Sequence, residues 1–72
     1  MHLSDLSPGN SARVLAFEGG SGFGRQLALR GLAEGRIVPV LSGSFGPVVV
    51  RIAGETLVLG RGAARKVRVQ TV

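Results

Sequence analysis

Between Arg25 and Gly60 three glycine-punctuated units follow one another, and they leave few architectures open. The first is a short amphipathic helix ending in Gly31-Leu32-Ala33-Glu34-Gly35. The second is a strand running into Gly43-Ser44-Phe45-Gly46-Pro47, and the third a hairpin closed by Ala53-Gly54 ahead of Leu57-Val58-Leu59-Gly60. A chain of 72 residues makes one small domain, spanning 1–72, and buries roughly 60–65% of the surface its unfolded form exposes. Cysteine is absent, so neither disulfides nor a thiolate zinc framework can staple it. Aliphatic packing has to hold the domain together.

The periodicity fills in the remaining elements. Leu3-Ser4-Asp5-Leu6-Ser7-Pro8-Gly9-Asn10 reads as a turn-rich lead-in, with Pro8-Gly9 as the turn dipeptide. Residues 12–17 form a strand whose buried side is left open by the pattern. Residues 19–22 break it, and Ser21 or Gly22 is expected to cap a helix over 23–30. Phe23 and Leu27, four apart, share one face of that helix. Leu29 lies off their stripe, either as a second packing contact or as an exposed apolar residue. Gly31 ends the helix in a left-handed cap.

Three strands follow, at residues 37–42, 48–52 and 55–59. In the first, Pro39 cannot donate a ladder bond, which predicts an edge or bulged strand. Residues 60–65 form a turn or a single helical turn, and 66–70 close the chain as an alternating strand. Val14, Leu27, Val48, Val50, Leu57, Leu59, Val67 and Val69 are the expected core. Five short strands and one helix cannot all bury a face in an open sheet this small. A closed or nearly closed barrel lets them do so.

Little chemistry can be built on this frame. Counted from Gly19, a P-loop would need lysine and a hydroxyl after Gly24, where Arg25 and Gln26 stand. A dinucleotide fingerprint would need glycine at Arg25. His2 is the lone histidine, in an expected frayed terminus, and the four carboxylates are scattered. No nucleophile–base–orienter set emerges, nor the three or four ligands of a metal centre. The chain is therefore expected to be no enzyme and to carry no cofactor. No apolar run approaches the roughly 20 residues that span a bilayer, and no basic-then-apolar leader opens the chain. A cytoplasmic domain without direct membrane insertion is expected.

Charge is the remaining clue. Residues 1–36 carry four arginines against three carboxylates, a balance of +1; residues 37–72 carry Arg51, Arg61, Arg65, Lys66 and Arg68 against Glu55 alone, a balance of +4. The cluster at Arg61, Arg65, Lys66 and Arg68 reads either as a docking patch for an acidic partner or as a solvated rim. Tyrosine and tryptophan are absent, so base stacking has little to work with, and nucleic acid is the weaker partner.

Taken in order, Leu3-Ser4-Asp5-Leu6-Ser7-Pro8-Gly9 before Ala12-Arg13-Val14, Arg25-Gln26-Leu27 leading to Gly31-Leu32-Ala33-Glu34-Gly35, Gly46-Pro47-Val48-Val49-Val50, and Leu59-Gly60-Arg61 with Ala63-Ala64 before the last strand resemble the FeoA family (ferrous iron transport protein A). Two positions depart from its pattern: Glu34 stands where the family commonly has proline, and Arg30 where it has an apolar residue. The resemblance implies a mainly β, SH3-like five-stranded barrel with one inserted α-helix. It further implies a free-standing cytoplasmic accessory to the membrane iron transporter FeoB, whose cytosolic part contains a GTP-binding domain. The candidate contact surfaces are the helix and its exit (Arg25, Leu29, Arg30, Leu32) and the basic end (Arg61, Arg65).

The alternative function is a small basic barrel gripping nucleic acid phosphates, marked by a steep loss of affinity with salt. A transition-metal carrier or sensor is the weakest reading on ligand count. Calorimetric titration with Fe²⁺ or Zn²⁺ should accordingly give at best weak binding, abolished by His2→Ala. Micromolar binding that survives this substitution would overturn the reading of a ligand-poor chain.

Overall fold

Side-chain alternation along the strands is what folds this chain. In β1 (Ser11–Phe17), β2 (Ile37–Ser42), β3 (Val48–Ile52), β4 (Glu55–Leu59) and β5 (Val67–Thr71) alternate residues point to one interior, the phase shifting between Val14 and Ala16 and between Val40 and Ser42. The computed structural model describes residues 1–72 apart from the side chain of Ser21. The helix α1 (Ser21–Leu29) joins β1 to β2, the single turn α2 (Arg61–Ala64) joins β4 to β5, and a 3₁₀ turn covers Leu3–Asp5. The five strands form one antiparallel sheet in the order β4-β3-β2-β1-β5.

All eight expected core residues are buried. The open question about β1 is settled in favour of Ala12 and Val14 facing inward, with Arg13 and Leu15 outside. The interior is larger than the alternation alone implied, because Leu3, Leu6, Leu32, Val38, Val40, Ile52 and Ala64 are buried too.

β4 and β5 lie at opposite ends of the sheet, so the barrel is not closed by a ladder. Packing bridges the gap: α2 lies against β4 and the 3₁₀ turn, and the 3₁₀ turn lies against β5. Leu3 and Ala64, both without solvent exposure, fill the space between. The arrangement is an SH3-like small barrel whose seam is sealed by the lead-in and one helical turn.

β2 takes the second of the two forms expected of it, a bulged strand. It pairs with both β1 and β3 and is no edge strand; the bulge is at Leu41, between the pairs Val40↔Val50 and Ser42↔Val49. The Val40 N–H donates to Asn10 C=O at 2.8 Å, and its C=O accepts from Gly9 N–H at 3.0 Å. Val40 thus turns its backbone towards the β1 side, and Pro39 turns its missing N–H towards β3, whose ladder begins only at Val40.

The helix starts earlier than expected. Gly20 is its N-cap and makes no side-chain cap bond; capping by the Ser21 hydroxyl lies outside the described residues. Two glycines set how α1 meets the sheet. A Cβ on Gly24 would lie 2.9 Å from the Phe17 ring, so only glycine lets the helix rest on β1 there. At the other end Gly31 adopts φ 101°. Its N–H donates to Ala28 C=O at 3.0 Å, and Leu32 N–H donates to Leu27 C=O at 2.9 Å. These bonds complete a Schellman cap that carries Leu32 into the core.

Gly31→Ala should therefore be costly twice over. A left-handed L-residue costs about 1–2 kcal/mol, and the new Cβ would approach Ile52 Cγ2 at 2.6 Å. Gly22, inside the same helix with open space at its Cβ position, should be stabilised by alanine by about 0.5–1 kcal/mol. Denaturant midpoints moving in opposite directions for the two substitutions are the expected result.

Candidate functional site

The residues singled out by sequence divide sharply in the structure. Arg25, Leu29, Arg30 and Arg65 are exposed, Arg61 is half-buried, and Leu32 is fully buried. Leu32 is a correction: the Schellman cap turns its side chain inward, so it serves the core and offers nothing to a partner.

Arg61, the first residue of α2, has an internal task. Its Nη1 donates to the carbonyls of Gly43 and Gly46, the latter at 3.2 Å, and its Nη2 donates to Ser4 C=O at 3.0 Å. One planar guanidinium thereby ties the β2–β3 loop, the 3₁₀ turn and α2 together, as the fork geometry of arginine allows. Carbonyl oxygens otherwise left short of donors explain why a charged group is tolerated there.

Much of the remaining basic cluster is also engaged. The Lys66 ammonium stands 5.6 Å from the centroid of Phe23, a cation–π contact, and Phe23 packs edge-on against Phe17 at 6.1 Å. Arg68 Nε lies 3.7 Å from Glu18, whose other oxygen is 3.0 Å from His2 Nε2. His2 is not frayed: it bridges to Arg68, and its backbone N–H donates to Asp5 at 2.9 Å. Among the described residues, Arg65 makes no side-chain hydrogen bond or ion pair. Of the cluster read as a docking patch or a solvated rim, Arg61 is held within the fold, while Arg65, Lys66 and Arg68 stay exposed.

The exposed surface around α1 has more shape. One cleft of about 400 Å³ lies where the helix leaves β1, bordered by Phe17, Gly24, Arg25, Ala28 and Glu34. A second, of about 340 Å³, lies between the end of α1 and the β3–β4 hairpin, bordered by Leu29, Arg30, Ile52, Glu55, Thr56 and Leu57. Leu29 is 82% exposed at its lip, which decides between the two roles open to it. Arg25 sits one turn before Leu29 on the same helix face. Phe45 in the β2–β3 loop, 98% exposed, is barer still, and Leu15, Ile37 and Val58 are exposed as well.

Among the described residues no three of His, Cys, Asp and Glu gather as metal ligands would, and no helix is long and apolar enough to cross a membrane. What the arrangement can do is bind: an apolar anchor, two flanking guanidinium groups and a cleft stand at one end of the helix.

Comparison with known proteins agrees with the fold. The FeoA domain model matches residues 1–71. An iron uptake regulatory protein (FeoA) of known crystal structure is 30% identical, with a TM-score of 0.88 over 100% of this chain and 96% of that one. The FeoA protein from Chlorobium tepidum is 28% identical, with a TM-score of 0.88 over all of this chain and 70% of that one. Iron(II) transport protein A from Clostridium thermocellum is 26% identical at a TM-score of 0.84, and this chain spans 46% of its length. The search of curated proteins finds no match.

If Arg61 is the clamp described, Arg61→Lys should lower stability by about 1.5–3 kcal/mol, the scale of hydrogen bonds to a charged group. A point-like ammonium cannot reproduce the fork. Arg65→Lys should change stability by less than about 0.5 kcal/mol. Equal denaturation midpoints for the two variants would show that the clamp carries no weight.

Proposed function

The chain belongs to the FeoA domain family, and from that premise we propose that it is a non-catalytic accessory protein of ferrous iron uptake, acting in the cytoplasm on the cytosolic part of a FeoB-type transporter. The family implies the role in ferrous iron transport. The means proposed is binding, and the observation that carries it is the end of α1: Leu29, 82% exposed, with the exposed Arg25 and Arg30 on either side.

An exposed leucine on a helix that already has a buried stripe adds nothing to the fold. Burying such a side chain against a partner contributes on the order of 1.5–3 kcal/mol, and interfaces draw most of their energy from a few anchors of this kind. Arg25 and Arg30 would steer encounter and set the response to salt. To regulate transport, the domain must bind one conformation of the transporter's cytosolic part more tightly than the other, because equal affinity shifts nothing. Arg65 is the member of the basic end that remains available to widen the contact; Arg61 and Leu32 are committed to the fold.

Leu29→Glu should leave the circular dichroism spectrum and melting temperature unchanged. It should weaken binding to the transporter's cytosolic domain by about tenfold or more. Reversing Arg25 and Arg30 to glutamate should slow association chiefly at low salt. Unaltered affinity of a folded Leu29→Glu variant would remove the helix end from the interface.

A further inference from the structure

The two edges of the sheet are treated differently by the chain. On the β5 edge, Met1 C=O accepts from Val69 N–H at 3.0 Å and His2 bridges to Arg68, so the N-terminal residues pair with that strand. On the β4 edge no segment pairs with the strand among the described residues, although α2 packs against it. β4 pairs with β3 in unbroken register from Ile52↔Glu55 to Val48↔Leu59. Ala53 and Gly54, at φ 52° and 83°, form the turn with both central residues at positive φ that makes Ile52↔Glu55 a hydrogen-bonded pair. Alternation then turns the backbones of Glu55, Leu57 and Leu59 towards β3 and those of Thr56 and Val58 outward. Both outward residues are exposed. Among the described residues nothing bonds to their N–H or C=O groups.

This open edge borders the cleft of about 340 Å³ between β4 and the end of α1. Ile52 and Leu57 form its apolar wall, Leu29 its lip, and Arg30 and Glu55 give it one charge of each sign. Two pairs of outward donors and acceptors, spaced for a strand and set beside an apolar cleft, match an extended segment rather than a helix or a flat surface. The net charge of +5 favours an acidic one, with Arg30 as the group in the cleft that can receive a carboxylate.

We propose that β4 is a strand-addition site, at which an extended acidic segment of the transporter's cytosolic part pairs with Thr56 and Val58, sets an apolar side chain into the cleft and places a carboxylate against Arg30. The identity of the partner rests on the function proposed above; the mode of binding rests on the edge itself. Main-chain bonds supply affinity in such complexes, while alternate side chains supply selectivity.

Amide hydrogen exchange of the full chain, alone and with the transporter's cytosolic domain, tests this residue by residue. Free, the Thr56 and Val58 amides should exchange rapidly; in the complex they should slow by about tenfold or more. Val58→Pro removes one outward donor without taking a bond from the β3 ladder, and should weaken binding by about tenfold with the fold retained. If that variant does not fold, the exchange pattern of the unmodified chain decides. A complex in which both amides exchange as fast as in the free protein overturns strand addition while leaving the transporter as partner. Absence of any complex overturns both.

Discussion

The guanidinium of Arg61 is the contact around which the barrel closes. Five strands in the order β4-β3-β2-β1-β5 leave β4 and β5 unjoined, and a domain this small cannot leave its core open along that seam. Filling the seam requires two irregular segments, the lead-in and α2, whose backbone carbonyls have no ladder to enter. Arg61 reaches a carbonyl of the lead-in and two of the β2–β3 loop, so one side chain meets a need that a ladder meets elsewhere. Leu3, Leu6 and Ala64 can be buried because the segments carrying them are fixed in this way. A lone buried cation would be expensive; shared among three carbonyls and half-exposed, it becomes a fastener.

How far the fold was legible follows from where each signal resides. Alternation is local, so β3 and β4 came out with the bounds expected, and so did the inward sets Val48/Val50, Leu57/Leu59 and Val67/Val69. The glycine at position 31 is also a local signal, since a helix end needs a left-handed residue. The burial of Leu3 and Leu6 is not local: nothing in Leu3-Ser4-Asp5-Leu6 distinguishes a solvated turn from one that plugs a barrel seam. Pro39, by contrast, is a local signal: it marks an edge or a bulge, and the strand is bulged.

Charge was the least legible property. Arg61, Arg65, Lys66 and Arg68 look like one patch in sequence, yet Arg61 finds its acceptors 15 to 57 residues away, Lys66 covers Phe23 and Arg68 meets Glu18. The surplus of positive charge towards the C-terminus is real, but Arg61 is committed to the fold, and Lys66 and Arg68 each have a partner on the domain's own surface. The helix carries less charge in sequence, but both of its arginines and Leu29 are exposed.

Both chain ends emerge beside the same strand. Met1 pairs with Val69, its sulfur accepts from the Thr71 hydroxyl at 3.2 Å, and Val72 N–H donates to Ser11 C=O. Any tether attached at either end therefore leaves from the β5 side, while the α1–β4 cleft lies at the far end of the strand order. The domain can be strung in tandem, or hung from another protein by either terminus, through a linker that starts beside β5.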